Sequence, residues 1–425
     1  MDIRPFRGWR YSAADLSSLI APPYDVLSAA DKQALLAGSD RNIVGVDMPH
    51  YPPASAGPDE VYSQAASTLE RWITDGTLKR DSRPTLYAYE QTYAWAGRTY
   101  HRRALLCGVR ATPLGQDVIP HEHTFAGPKA DRLKLTEHTH KQLSPIFGFY
   151  DDPAGVIRET LWATVDADHP AAAGTLNGVG EKIWTVTDAA TIDAVAAALR
   201  PAPVFIADGH HRYTTAMNYR DALLAAGVID ARHEANYVLF ALVASDDPGL
   251  LILPTHRMVS GLSQAFSLSA LRSAATAFEW RKAPQIPADL SDADSFLKGF
   301  AGGAIGATDG RELWVAVLKD PAAMEQAAPQ QCPAWRELDV AVLQTLIVDG
   351  AMASFRTDAT EIRYTPDANK ALAACTAGES QLSLLLQGTR LDQVKAVALA
   401  GQSMPHKSTY FYPKLATGMV IKPLE

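Results

Sequence analysis

The chain has 425 residues, 47% of them hydrophobic and 20% charged, which suffices for a large core divided into two or three domains, since single cores stop growing near roughly 250–300 residues. A formal net charge of −8 argues against non-specific nucleic-acid binding and against a polybasic membrane surface. Three widely spaced cysteines, Cys107, Cys332 and Cys375, form no CxxC pair, so neither a disulfide framework nor a cysteine zinc site is indicated.

The opening MDIRPFRGWRY has charges but no apolar segment, unlike a signal peptide. No apolar run approaches the roughly 20 residues of a membrane span, and the expected location is the cytoplasm. In IAPPYDVLS (20–28), Pro22 and Pro23 block helix and fix a turn beside Tyr24 and Asp25. Ser28 then opens SAADKQALLAG, a capped helix with a glycine stop. The segment 58–76 is an amphipathic helix, with Val61, Ala65, Leu69, Trp72 and Ile73 at helical spacing. A β-hairpin follows: Leu86, Tyr87, Tyr89 and Tyr93 on one arm, a turn at Ala96-Gly97, and a returning strand 104–109.

DVIPHEHTFAGPKADRLK is a polar loop leading into a helix from about Lys129, then a strand at 145–150. The loop's His121, Glu122 and His123 lack the HExxH spacing that puts two histidines on one helical face, so a zinc-protease site is not indicated. As a mobile element carrying Thr124, Lys129, Asp131 and Arg132, the loop suits substrate binding as well as it suits plain solvent exposure. Short strands are predicted at 182–187 and 204–207, and longer apolar ones at 237–244 and 250–259. The second of these ends in PTHRM, which places His256 and Arg257 where open α/β sheets bind ligands.

Between strand 204–207 and the helix opened by His210 stands ADGHHR. A helix start leaves backbone N–H groups without partners and carries the positive end of the macrodipole, which favours an anion. Gly209 allows close approach, and His210, His211 and Arg212 add donors. Asp208 would repel a bare phosphate, so it suits a general base, a Mg²⁺ ligand or a partner for His or Arg. The bland alternative is an N-cap aspartate with surface histidines.

Past Gly261, SALRSAATAFEW and ELDVAVLQTLIVDGAM read as helices around a strand at 313–318, with a strand near 382–386 and a helix at 390–401. The tail MPHKSTYFYPKLATG is a loop and strand. It holds Lys407, Ser408, Thr409 and Lys414 without the spacing of a P-loop; lysines and hydroxyls still suit phosphate. Alternating strands and helices predict an α/β fold with a mixed sheet. The soft domain boundary gives a first domain of 1–262 and a second of 263–425.

APPYDVLS, HEHTFAGPKADRLKL, ADGHHRYTTAMNY, NYVLFALVA…LPTHRMV and MPHKSTYFYPKLATG occur here in the order found in the prokaryotic domain-of-unknown-function family numbered ten-fifteen, which the chain resembles along its length. The DGHHR helix start also resembles the phosphate-binding element of the ParB/sulfiredoxin-like superfamily, which includes partition proteins and free-serine kinases. The resemblance implies a ParB-like core for 1–262, with an added C-terminal α/β region whose last strand returns to the site. It implies a kinase that phosphorylates free L-serine from ATP, ADP or pyrophosphate with Mg²⁺. Gly209, His210, His211 and Arg212 would hold donor phosphates, joined by Lys407, Ser408, Thr409 and Lys414. Asp208 would be the catalytic or Mg²⁺-proximal carboxylate, and Asp25 or Glu122 would stand for the superfamily's catalytic glutamate. His121, Thr124, Lys129, Asp131, Arg132, His256 and Arg257 are the candidates for substrate contact. The expected partners are a small substrate and a phosphoryl donor, with neither nucleic acid nor membrane. The rival readings are a nucleotide-binding partition-type switch, which should show a basic helix-turn-helix that is not found, and a metal-dependent hydrolase using His121, His123, His210 and His211.

Overall fold

A computed structural model describes residues 1–425. The chain forms two compact units, Met1–Leu250 with Pro413–Glu425, and Leu251–Tyr412. The division thus falls at 250/251, where the expected boundary is 262. Strand His256–Ser260 lies inside the second unit's sheet, and the final thirteen residues belong to the first unit.

The first unit is built on a nine-stranded mixed sheet. Its strands run in the order Val118–Ile119, Val204–Asp208, Ile146–Tyr150, Tyr237–Ala244, Arg98–Arg110, Leu86–Trp95, Val179–Val186 and Ala172–Leu176, with Ile3–Arg4 added beside Arg98–Arg110. Tyr237–Ala244 runs parallel to Ile146–Tyr150 and Val204–Asp208 parallel to Val118–Ile119; the other pairings are antiparallel. The strand YVLFALVA is buried at every position, as expected of a central strand covered on both faces. Leu105, Cys107, Val109, Ile146, Val204, Ile206, Tyr213, Phe240 and Leu242 meet in one core cluster. Space in that core is tight at Gly148. A Cβ there would stand 2.6 Å from Val204 Cγ2 and 3.0 Å from Phe240 Cδ1. Gly148→Ala is therefore expected to lower unfolding free energy by about 1–3 kcal/mol, the usual range for overpacking, read from urea denaturation at constant m-value.

The predicted helices of this unit form where local signals are strong. Ser28 Oγ accepts from the Asp31 N–H while the Asp31 side chain accepts from the Ser28 N–H, a reciprocal cap for helix Ala29–Gly38. Helix Asp59–Thr74 buries Tyr62, Ala65, Leu69 and Trp72. The hairpin turns at Ala96-Gly97, both at positive φ, and its second arm starts at Arg98, earlier than expected.

The second unit holds a six-stranded antiparallel sheet in the order Phe278–Lys282, Leu313–Leu318, Ile305–Thr308, Leu382–Leu385, His256–Ser260 and Glu361–Thr365. Three expectations change here. The single strand read at 250–259 is two strands, Leu251–Leu253 and His256–Ser260, because Pro254 has no N–H for a ladder. Only the first half of SALRSAATAFEW is helical, within helix Leu268–Ala274; the aromatic FEW joins the edge strand Phe278–Lys282. The helix at Asp339–Val342 continues as a wider π-helical stretch, Leu343–Ala351.

Candidate active site

Strand Val204–Asp208 is buried up to its last residue, and Gly209 turns the chain at φ 96° into helix His210–Ala225. At that positive φ a side chain would be strained, and a Cβ would also lie 3.0 Å from the Arg212 guanidinium. The turn leaves the Asp208 carboxylate at the end of its strand with both oxygens engaged. Oδ2 accepts from Arg212 Nη2 at 2.6 Å, and Oδ1 accepts from Lys414 Nζ at 2.5 Å. Burial by itself would raise its pKa; Lys414 and Arg212 outweigh that and hold the carboxyl well below the usual range. Arg212 is fixed in turn through Nη1, which donates to the Pro145 carbonyl.

The histidines pack around this ion cluster. His121 follows strand Val118–Ile119 after Pro120 and is 1% exposed; its ring meets that of His210 edge-on at 4.7 Å. The His121 N–H donates to His210 Nε2 at 3.2 Å, so the His210 proton sits on Nδ1, 3.7 Å from Glu122 Oε2. The Phe125 N–H donates to His211 Nε2 at 2.9 Å and leaves Nδ1–H of His211 as a donor. Burial pushes His121 down to about 4, and burial followed by the neighbouring His121 keeps His210 well below its ordinary value. Burial also lowers His211. At neutral pH these rings are uncharged. His123 is exposed, and no three His, Cys, Asp or Glu side chains are grouped to hold a metal ion. The set of four histidines expected of a metal hydrolase is thus not assembled.

Two of the expected substrate residues are committed elsewhere. Asp131 is fully buried: Oδ1 accepts from Tyr62 Oη at 2.6 Å and lies 2.7 Å from His50 Nε2, while Oδ2 accepts from Arg132 Nε at 2.7 Å. Arg132 also reaches Asp47 and lies 4.0 Å over the Tyr24 ring. Their helix, Ala126–Thr139, starts three residues before the expected Lys129. Thr124 and Lys129 are half-exposed. Asp25 stands exposed in the turn Tyr24–Val26, makes no hydrogen bond or ion pair, and is near enough for its charge to act on His211.

A polar network that the sequence reading missed holds the tail. On three neighbouring strands Arg102, Gln91 and Glu181 stand in register. Arg102 Nη2 donates to Gln91 Oε1 and to the Pro413 carbonyl, the latter at 2.6 Å; Gln91 Nε2 donates to Glu181 Oε1 at 2.9 Å and to the Lys414 carbonyl at 3.1 Å. Tyr89 Oη donates to Glu181 and accepts from the Ala416 N–H. The backbone on both sides of Lys414 is thereby fixed. The visible signal was Gln91, a polar residue in step with Tyr87, Tyr89 and Tyr93 on the buried face. Lys407, Ser408, Thr409, His256 and Arg257 belong to the second unit. There Lys407 is exposed, Ser408 is buried and donates to the Pro405 carbonyl, and His256 is buried with Nδ1 accepting from the Leu386 N–H.

These features define an α/β protein of two units with a cation-flanked carboxylate at a strand–helix seam. The chain belongs to the family described as Protein of unknown function (DUF1015), whose profile matches residues 3–341; Lys414 lies beyond the matched part. No curated protein matches. Among solved structures the chain is similar to free serine kinase in complex with AMP, at 11% identity and a TM-score of 0.34, covering 74% of this chain and 92% of that one. It is similar to a conserved hypothetical protein from Pyrococcus furiosus, at 13% identity and a TM-score of 0.32, covering 74% and 95%. It is also similar to SbnI with C-terminal truncation from Staphylococcus aureus, at 12% identity and a TM-score of 0.35, covering 75% and 87%. No helix is long and apolar enough to cross a membrane.

Proposed function

We propose that the chain is a phosphotransferase that moves a phosphoryl group from a nucleotide or pyrophosphate to a small hydroxyl metabolite, with free L-serine first. The observation that carries this reading is the Asp208 carboxylate held between Arg212 and Lys414 at the first turn of helix His210–Ala225. Two cations against one carboxylate leave one positive charge beside unpaired N–H groups of a helix start, an arrangement that suits a transferring phosphoryl group. Neutral His211 adds an N–H donor without adding charge. Serine as acceptor and a nucleotide or pyrophosphate as donor rest on the likeness of DGHHR to the free-serine kinases.

With both oxygens in ion pairs, Asp208 is too weak a base to take a hydroxyl proton. Its role in this reading is to aim Lys414 and Arg212. Glu122 leans on the His121–His210 pair. Asp25, exposed and unpaired, is then the carboxylate suited to accept the acceptor's proton. Mg²⁺, when bound, would neutralise charge on the donor phosphates, with Glu122 as the protein carboxylate that would hold it.

The test is a screen of ATP, ADP, CTP and pyrophosphate against serine and small polyols with Mg²⁺, read by phosphorus NMR. Formation of a phosphomonoester is expected with at least one pair. Asp25→Asn is expected to cut turnover about 10²–10⁴-fold, the range of general-base catalysis, with donor affinity retained. Tight nucleotide binding without product from any pair would replace this reading with a regulatory switch.

A further inference from the structure

We propose that the second unit carries an oxyanion site of its own, centred on Arg257, which takes the carboxylate or phosphoryl group of a small metabolite. The proposal stands apart from the Asp208 chemistry and survives its failure. Arg257 lies on the strand next to the sheet's edge strand Glu361–Thr365, paired across strands with Tyr364 and Leu384, and is 2% exposed. Its guanidinium has five N–H bonds. Nη1 donates to the Thr255 carbonyl, Nη2 reaches the Lys407 carbonyl at 3.4 Å, and Nε–H has no acceptor. It makes no ion pair, and the Tyr364 ring lies 5.4 Å from its guanidinium carbon.

Buried charges in folded proteins are normally paired, because desolvation is otherwise uncompensated. Buried Arg132 follows that rule, meeting Asp131 and Asp47. Arg257 has no such anion. Burial consequently lowers its pKa to about 10. Three further observations concern the residues next to Arg257 in the chain or across its contacts. Thr255 Oγ1 is buried without a partner. Lys407, whose carbonyl touches Arg257, is held at φ 57° with its ammonium exposed and in no ion pair. His406 packs edge-on against Tyr364 at 6.1 Å.

The chemistry that satisfies these groups is a two-oxygen anion. The adjacent Nε–H and Nη2–H form the fork that guanidinium offers to carboxylate or phosphate. The Nη2 contact to Lys407 is long and can be exchanged for an anion oxygen. Thr255 adds a hydroxyl, and Lys407 a second charge at the rim. His256 takes no part, since its ring is in the core and bonded to the Leu386 N–H.

The experiment uses the full chain carrying Lys414→Ala, so that the Asp208 site is weakened and the remaining anion binding reports Arg257. Inorganic phosphate and acetate are titrated by calorimetry and by thermal unfolding at constant ionic strength, with chloride as control. At least one anion is expected to raise Tm, and Arg257→Met to weaken it about tenfold or more. Arg257→Met is also expected to raise Tm in chloride alone, because it removes an unpaired buried charge. Response to phosphate alone assigns a phosphoryl ligand; response to acetate as well assigns a carboxylate. No response to either anion, or unchanged affinity in Arg257→Met, overturns the proposal. Should Arg257→Met fail to fold, exposed Lys407→Ala must still weaken the binding severalfold, and unchanged affinity in that variant overturns it equally.

Discussion

Lys414→Ala is expected to weaken binding of pyrophosphate or nucleotide by about tenfold to a hundredfold, whereas Asp208→Asn is expected to strengthen that binding severalfold while cutting turnover about a hundredfold or more. The opposite signs follow from the charge count at the seam. In the wild type Asp208 occupies both cations at 2.5 and 2.6 Å, so an incoming phosphate competes with a carboxylate already there. Removing Lys414 lowers the local charge from one positive to zero. Neutralising Asp208 raises it to two, but also releases the Lys414 ammonium and the Arg212 fork from their aim. Asp208→Asn should cost stability without ligand, about 3–5 kcal/mol for an ion cluster broken on one side, and regain part of it in phosphate. A pH series gives a second check. The folded Asp208 pKa is depressed, so its stabilising contribution is complete above the ordinary value of 3.8 and is lost as pH falls through the depressed folded value. Calorimetric titration of the two variants decides the matter: weakened donor binding in both would mean that Asp208 itself contacts the donor through a metal ion, not that it orients the cations.

How much of this was visible in the residues depends on how local each feature is. The seam at 204–212 was legible because one short window holds an apolar strand, an Asp-Gly turn and a helix with a charged start. Lys414 was legible as a cation, but its partner Asp208 lies 206 residues away, and no periodicity reports such a meeting. Asp131 and Arg132 show the converse. Their place at the start of a polar helix suggested a ligand surface, yet Tyr62, His50 and Asp47 arrive from 69 to 85 residues away and bury them. The strand at 250–259 was misjudged across Pro254, where a local rule was available. The sheet position of FEW was not, since edge pairing with Leu313–Leu318 overrides the helical preference of the preceding alanines.

The second large effect is expected at the buried network that holds the tail. Arg102→Ala should lower unfolding free energy by about 3–6 kcal/mol, since two buried acceptors lose hydrogen bonds from a charged donor worth about 1.5–3 kcal/mol each. Gln91 Oε1 and the Pro413 carbonyl would lose their Arg102 donor, and Glu181 would lose the nearest positive charge. Turnover should fall with stability, because the same bonds fix the backbone at Lys414. Glu181→Gln should behave differently. Burial raises the Glu181 pKa to about 8 against the opposing pull of Tyr89, Gln91 and Arg102. A folded-state pKa above the ordinary 4.5 means that the folded chain holds the proton more tightly than the unfolded one. Its contribution is therefore present at low pH and is lost as pH rises from about 4.5 through about 8. Glutamine keeps the shape without that proton, so the variant should match the wild type near pH 5, exceed it at pH 8, and show a flatter stability profile between. Urea denaturation of the three proteins at pH 5, 6.5 and 8 measures both effects. An Arg102→Ala loss below about 1 kcal/mol would place that residue among ordinary surface substitutions. A Glu181→Gln profile parallel to the wild type would mean that Arg102 and Gln91 keep the carboxylate ionised, and that the tail is held by a buried ion pair instead of a protonated acid.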